Sequence, residues 1–302
     1  MKENSYSSTY NTYNKVYKSN GVDTKINREK FLNLLQDVSN EDIVVSGIDS
    51  GIEYINKLFY YAVIENSKVV LKAVNGYPKG AVINITGEAD TGKSLLVQTA
   101  LVVNAFKNIK GIYISTENPL KYVSFSLKRI SMLLSLDFSK VKDNIKIIDL
   151  TFRYNLMGNI DNFLKNLYYE LSNSYRNGVI VFDSLTGFYE SKEVMARYIV
   201  RRIFQFCKNL NLTAFLISQK REDSPFSSRS AGGMAISHIV DCNIVLSKIV
   251  VSSAYEKKIY EKELGGVVRT FRIDGCRLCG HSSKTHIFEI DKTGLINFIK
   301  HL

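Results

Sequence analysis

Hydrophobic positions in this chain change their spacing near residue 40. The opening segment MKENSYSSTYNTYNKVYKSNGVDTK is polar and poor in aliphatic side chains, so a poorly ordered tail is expected. Within it, residues 27–36 (NREKFLNLLQ) have the spacing of a short amphipathic helix. We read 1–40 as a polar tail with that helix and 41–302 as one domain. In the domain, apolar runs of strand length alternate with amphipathic helical stretches. The pattern predicts strands at 82–86, 111–115, 145–150, 179–183 and 212–218. Helices are predicted at 94–107, 120–136 (opened by Pro119), 160–175 and 192–209. Such alternation implies βαβ units and an α/β fold, a mostly parallel sheet flanked by helices. Beyond Asn243 only strands are predicted, at 243–248, 267–273 and 285–290, extending the sheet or forming a C-terminal antiparallel wing.

Composition narrows the class. Hydrophobic residues are 45% of 302, enough for a substantial core. Apolar stretches are interrupted before the ~18 residues a membrane span needs, and the N-terminus lacks the apolar core of a secretory signal. No membrane association is expected, and the cytoplasm is the expected compartment. The four cysteines, Cys207, Cys242, Cys276 and Cys279, are too sparse for a disulfide scaffold, so reduced thiols are expected. The net charge of +11 favours a polyanionic partner such as nucleic acid, or else reflects a lysine-rich solvated surface. Tyr6, Tyr10, Tyr13 and Tyr17, set among Lys15 and Lys18, could stack on bases; a disordered extension or one packed on a neighbouring subunit is the alternative.

One contiguous motif carries chemistry. Gly87-Glu88-Ala89-Asp90-Thr91-Gly92-Lys93-Ser94 fits G-x-x-x-x-G-K-[ST], between a predicted strand and a predicted helix that begins at Ser94-Leu95. Glycines let such a loop turn its backbone N–H groups towards phosphates, and the helix N-terminus adds positive potential. Lys93 is expected at the β- and γ-phosphates, with Ser94 on Mg2+. Asp183 ends the apolar strand VIVFD and is the expected second metal partner, since ligands of open parallel sheets bind at the carboxyl edge. ATP and Mg2+ are therefore the expected ligands.

Two further strand ends should face the same edge. Glu117, after GIYIS, is the candidate base for water, or else a helix N-terminal acid. Gln219, after LTAFLIS, is placed to sense a γ-phosphate and inform the loop that follows. That loop, 220–233, carries Lys220, Arg221, Arg229, Gly232 and Gly233; it is a candidate DNA contact or a plain surface loop. Arg197, Arg201 and Arg202 on the preceding helix add positive charge.

This order of phosphate loop, strand plus Glu, Asp strand, strand plus Gln and glycine-ended loop resembles the RecA superfamily. Val45-Ser46-Gly47-Ile48-Asp49-Ser50-Gly51-Ile52-Glu53 and the stretch 80–88 are similar to the opening of KaiC-like and RadA-like ATPase domains. The stretch 232–241 (GGMAISHIVD) resembles the segment after the second DNA-binding loop of RadA-type recombinases. Met195-Ala196-Arg197 and Phe288-Glu289-Ile290-Asp291 resemble archaeal RadA paralogs of the KaiC type. The resemblance spans about residues 43–298. It implies a RecA-like core assembling side by side with ATP at subunit interfaces, acting with DNA or a RadA-type recombinase in recombination and repair. A KaiC-like regulatory module signalling through protein partners is the alternative. Where KaiC-like domains carry two adjacent glutamates this chain has Glu117-Asn118, so slow hydrolysis is implied. The family's Lys-x-Arg element matches 275–281, making Arg277 the candidate finger acting on a neighbour's γ-phosphate. The stretch 59–75 is an unusual spacer. Independently, Cys276-x-x-Cys279-x-His281 with His286 offers four zinc-type ligands, or coincidental thiols near an interface loop.

Overall fold

A computed structural model describes residues 45–153, 158–171, 173–189, 193–219 and 236–301. The expected tail 1–40, its helix and the loop 220–233 lie outside the described residues.

The elements run in order as β1 (Gly47–Ile48), α1 (Glu53–Asn56), β2 (Phe59–Glu65), β3 (Lys68–Ala73), β4 (Tyr77–Pro78) and β5 (Val82–Gly87). There follow α2 (Lys93–Phe106), β6 (Gly111–Ser115), α3 (Leu120–Leu133), α4 (Phe138–Lys142), β7 (Ile145–Asp149) and α5 (Ile160–Leu171). Then come β8 (Val179–Asp183), α6 (Ala196–Asn209), β9 (Thr213–Gln219), β10 (Cys242–Val250) and α7 (Ala254–Tyr260). The chain closes with β11 (Val267–Cys276), β12 (Gly280–His281), β13 (Thr285–Ile290) and β14 (Ile296–His301).

Nine strands form the main sheet, ordered β14-β13-β11-β10-β5-β9-β8-β6-β7. From β10 to β7 every pairing is parallel, and β11, β13 and β14 add an antiparallel wing. This is the expected mostly parallel α/β sheet. The central strands are buried on both faces, and alternate residues serve opposite layers. Ile83, Ile85 and Val181 join one core with Leu96, Val97 and Ala100 of α2 and Val123 and Leu127 of α3. Val82, Ile180 and Phe182 join the other, with Leu164 and Leu167 of α5 and Ile199 and Ile203 of α6. Each fully buried side chain of this kind contributes roughly 1.5–3 kcal/mol.

The structure corrects several boundaries. Helices do not stop at Asn243, because α7 follows β10. It buries no residue, so it leaves no apolar stripe to detect. Its start is fixed by Ser253, which accepts from Glu256 N–H at 3.2 Å, and by the Glu256 carboxylate, which accepts from Ser252 N–H at 2.7 Å. The spacer 59–75 is a β-hairpin, β2 paired antiparallel with β3. Asn66 (φ 49°) and Ser67 (φ 61°) form its two-residue turn, the left-handed pair that matches strand twist. Helix 120–136 ends at Leu133, with left-handed Ser135 (φ 56°) beyond it. The predicted helix 192–209 begins with a 3-10 turn, Glu193–Met195, and the predicted 160–175 ends as helix at Leu171. Strand β14 was not anticipated.

Candidate functional site

The carboxyl ends of β5, β6, β8 and β9 gather at one edge. Gly87 lies beside Gln219 in register, and Ser115 lies beside Asp183. At this edge β5 turns into α2 through the glycine loop. A Cβ on Gly87 would sit 2.6 Å from the Leu246 carbonyl oxygen of β10, so only glycine lets the strands approach there. Asp90 (φ 63°) and Gly92 (φ 92°) are both left-handed, which wraps the backbone around a concavity. Thr91 Oγ1 donates to the Glu88 carbonyl at 2.9 Å and holds the loop's curve.

Lys93 opens α2. Its Nζ donates to the carbonyls of Gly87 (2.9 Å) and Glu88 (2.6 Å), within the loop itself. Burial holds its pKa below the ordinary lysine value, opposed by the charges of Asp183, Glu117 and Glu88. Asp183, 2% exposed, accepts from Tyr113 Oη and from the Ser94 side chain. Burial pushes its carboxyl above the usual range, and those two hydrogen bonds pull the other way. Tyr113 Oη in turn accepts from Gln98 Nε2 at 3.1 Å, and Gln98 Oε1 accepts from Ser126 Oγ at 2.6 Å. A hydrogen-bonded chain thus runs from α3 through α2 and β6 to Asp183.

Glu117 is exposed just past β6, where its charge reaches Lys93, Asp183 and Tyr113. The acid at the start of α3 is Asp149, whose Oδ2 accepts from Leu120 N–H at 2.8 Å. Gln219 is exposed, with its N–H donating to Thr186 Oγ1 at 3.3 Å.

Strands β10 and β11 overhang the loop. Arg269 Nη2 reaches Asp90 Oδ2 at 3.1 Å, its Nε donates to Asp90 O, and Lys248 Nζ lies 3.8 Å from the same carboxylate. Next to the loop is a cavity of about 340 Å³ whose walls include Ser94, Leu95, Gln98, Tyr122, Arg129 and Ile290. Reading the sequence missed Tyr113, Gln98 and the Arg269 clamp. The one available signal was a tyrosine on an apolar strand, which needs a partner when buried.

The residues present fit Mg2+ and a phosphate chain. Ser94 and Asp183 offer hard oxygen donors in contact with each other, and a buried ammonium lies beside them. Arg277 is not brought to this edge. Its N–H donates to Asp241 O (2.8 Å) and its Nη2 to His238 O (2.8 Å), while Asp241 Oδ2 accepts from Val82 N–H at the opposite end of β5. Five strand steps separate the two ends, about 17 Å. Lys220, Arg221, Arg229, Gly232 and Gly233 lie outside the described residues. The zinc quartet does not converge. His286 bonds Tyr54 Oη and Ser282 Oγ (3.0 Å each), and His281 Nδ1 bonds Ser282 O. Among the described residues no group of three or more His, Cys, Asp or Glu is arranged to hold a metal ion. Among them, too, no helix is long and apolar enough to cross a membrane.

Comparison with known proteins agrees with this geometry. The crystal structure of the KaiC-like protein PH0186 from the hyperthermophilic archaeon Pyrococcus horikoshii OT3 superposes with a TM-score of 0.62 at 21% identity. The match covers 85% of this chain and 100% of that one. It is a likeness of fold. No curated protein matches the chain. The family model described as "ATPase: KaiC" matches residues 48–302, most of the sequence. The chain belongs to the KaiC-type ATPase family.

Proposed function

We propose that this protein binds MgATP at the glycine loop and hydrolyses it slowly. The observation that carries the reading is the buried contact of Asp183 with Ser94 beside Lys93, at the foot of a left-handed glycine loop. Gly87–Ser94 and Leu95 form the phosphate cradle, with Glu88, Ala89, Asp90 and Thr91 supplying its backbone. Lys93 exchanges its two loop carbonyls for phosphate oxygens. Ser94 and Asp183 hold Mg2+, which supplies neutralisation of phosphate charge when bound. The Tyr122–Arg129 side of the neighbouring cavity takes the base and ribose. Glu117 orients or deprotonates water, and Gln219, beside Gly87, senses the γ-phosphate. One glutamate followed by Asn118 makes turnover slow. The protein assembles side by side, with Arg277 reaching the site of the next subunit.

The partner we propose is DNA, in recombination or repair, directly or with a RadA-type recombinase. The net charge of +11 and the exposed Arg197 and Arg201 of α6 support that reading. A second reading, a regulatory module acting through protein partners, is favoured by the hairpin β2–β3. Its Ile64, Val69 and Leu71 share one face and are 80%, 73% and 64% exposed, a surface unsuited to phosphates. ATP turnover with and without single-stranded DNA, at low and moderate salt, separates the two. Stimulation that fades with salt supports the DNA role. Nucleotide binding with no response to DNA moves the assignment to the protein-partner role, and no nucleotide binding overturns both.

A further inference from the structure

Three of the four cysteines meet at the amino edge of the sheet, away from the phosphate loop. Cys242 opens β10 and is the register partner of Cys276, the last residue of β11. Cys276 is followed by the two-residue turn Arg277-Leu278, and Cys279 then precedes β12. The Cys276 and Cys279 sulfurs are 3.7 Å apart, and Cys276 also shares a hydrogen bond with Cys242. Cys242 is fully buried, whereas Cys276 and Cys279 are half-buried and open to a small oxidant. Cys207 stands apart in the opposite core layer, fully buried.

We propose that Cys276 and Cys279 are a reversible redox pair, closed to a disulfide by peroxide and reopened by thiols. Three facts carry this. The sulfurs face each other, they flank a turn whose ends are already held by strand pairing, and both are reachable. Closing from 3.7 Å to the roughly 2.0 Å of an S–S bond is a side-chain movement of under ~2 Å. Cys276 is the attacking sulfur. Hydrogen bonds from Cys242 and then Cys279 pull its pKa below the usual thiol value, whereas the hydrogen bond to Cys276, followed by burial, pushes Cys279 up. The Cys276 thiolate attacks one peroxide oxygen, the O–O bond breaks, and hydroxide leaves to take a proton and become water. The resulting sulfenic acid is attacked by the Cys279 sulfur. The S–S bond forms as the S–O bond breaks, and a second water leaves with the Cys279 proton. Two thiols lose two electrons and two protons, and one peroxide takes both up to become two waters. The bond ties both ends of the turn that carries Arg277.

Trypsin reads the outcome directly, because it cuts after Arg277, between the two cysteines. The full chain is treated with hydrogen peroxide, alkylated under denaturing conditions and digested without reductant. Thiols should fall from four to two, and peptides 273–277 and 278–284 should appear joined, two hydrogens lighter than their sum. Dithiothreitol should separate them and restore all four thiols. Cys279→Ser should stop at the sulfenic acid, trapped by dimedone on peptide 273–277. Peptide 273–277 joined instead to 230–248, which carries Cys242, would overturn the pairing. Unreacted thiols, or Cys276 driven to sulfonic acid without a cross-link, would overturn the proposal.

Discussion

Removing one oxygen atom from the buried chain behind Asp183 tests how that carboxylate is held. Tyr113→Phe deletes the hydroxyl that donates to Asp183 and accepts from Gln98 Nε2. Phenylalanine keeps the packing of a side chain that is 1% exposed, so the effect isolates the hydrogen bonds. A hydrogen bond to a charged group is worth about 1.5–3 kcal/mol net, and an orphaned buried donor on Gln98 adds about 1 kcal/mol. The nucleotide-free variant should therefore lose about 2–4 kcal/mol at neutral pH. The loss should depend on pH. Burial raises the folded-state pKa of Asp183 above its ordinary value of 3.8, so the folded protein holds this proton more tightly than the unfolded chain. Its contribution to stability is fully present below 3.8 and declines as pH rises through the folded value. Without the Tyr113 donor, which lowers that pKa, the folded value climbs further and the decline spans a wider range. The deficit should be larger at pH 7.5 than at pH 4.5. Urea unfolding of both proteins at the two pH values, in EDTA and without nucleotide, measures it. A deficit equal at both pH values, or under about 0.5 kcal/mol at pH 7.5, would refute a hydrogen-bonded Asp183 carboxylate.

Other substitutions probe the loop. Lys93→Ala should abolish ATP binding in calorimetry; retained binding would remove the phosphate role assigned to the ammonium. Glu117→Gln should leave binding intact and lower turnover by about 100-fold or more, the range of general-base catalysis, and unchanged turnover would reassign the base. Gly87→Ala places a methyl 2.6 Å from the Leu246 carbonyl and 2.9 Å from Thr91 Oγ1. It should cost about 1–3 kcal/mol of stability by thermal or urea unfolding, and a neutral result would show that β5 and β10 separate easily. Arg269→Ala frees the crest of the loop at Asp90, and it should weaken ATP binding with stability changed by less than about 1 kcal/mol.

What could be read from the sequence divides along a physical line. Strands buried on both faces must be apolar throughout, and a helix covering them must be apolar on one stripe, so β5, β6, β8, α2 and α3 announce themselves. The glycine loop is legible because its chemistry is contiguous. The chain from Ser126 through Gln98 and Tyr113 to Asp183 is not, because it joins four elements that only the fold brings together. The hairpin β2–β3 and helix α7 were missed for the opposite reason: most of β2 beyond Phe59, all of β3 and all of α7 but its last turn lie outside the core, so burial wrote no period into them.

Arg277 shows how far direction alone carries an argument. β10 runs parallel to β5, so the amino edge of the sheet holds Ile83 and Cys242 side by side. β11 runs antiparallel to β10, so it must finish where β10 began, and Cys276 does lie opposite Cys242. A residue immediately following β11 therefore sits at the amino edge, a full strand length from the loop at Gly87. An antiparallel C-terminal wing was one arrangement expected from the sequence, but only the pairing of β11 with β10 fixes this position for Arg277. Strand direction thus bars Arg277 from its own chain's phosphate loop, so the finger role proposed for it requires a neighbour's loop. If Arg277 acts there, Arg277→Ala should lower turnover only in the assembled protein. Mixing it with Lys93→Ala should then form sites that draw loop and finger from different chains and recover part of the lost activity. Failure of an assembled mixture to recover any would leave Arg277 a structural tie between β11 and the His238 turn.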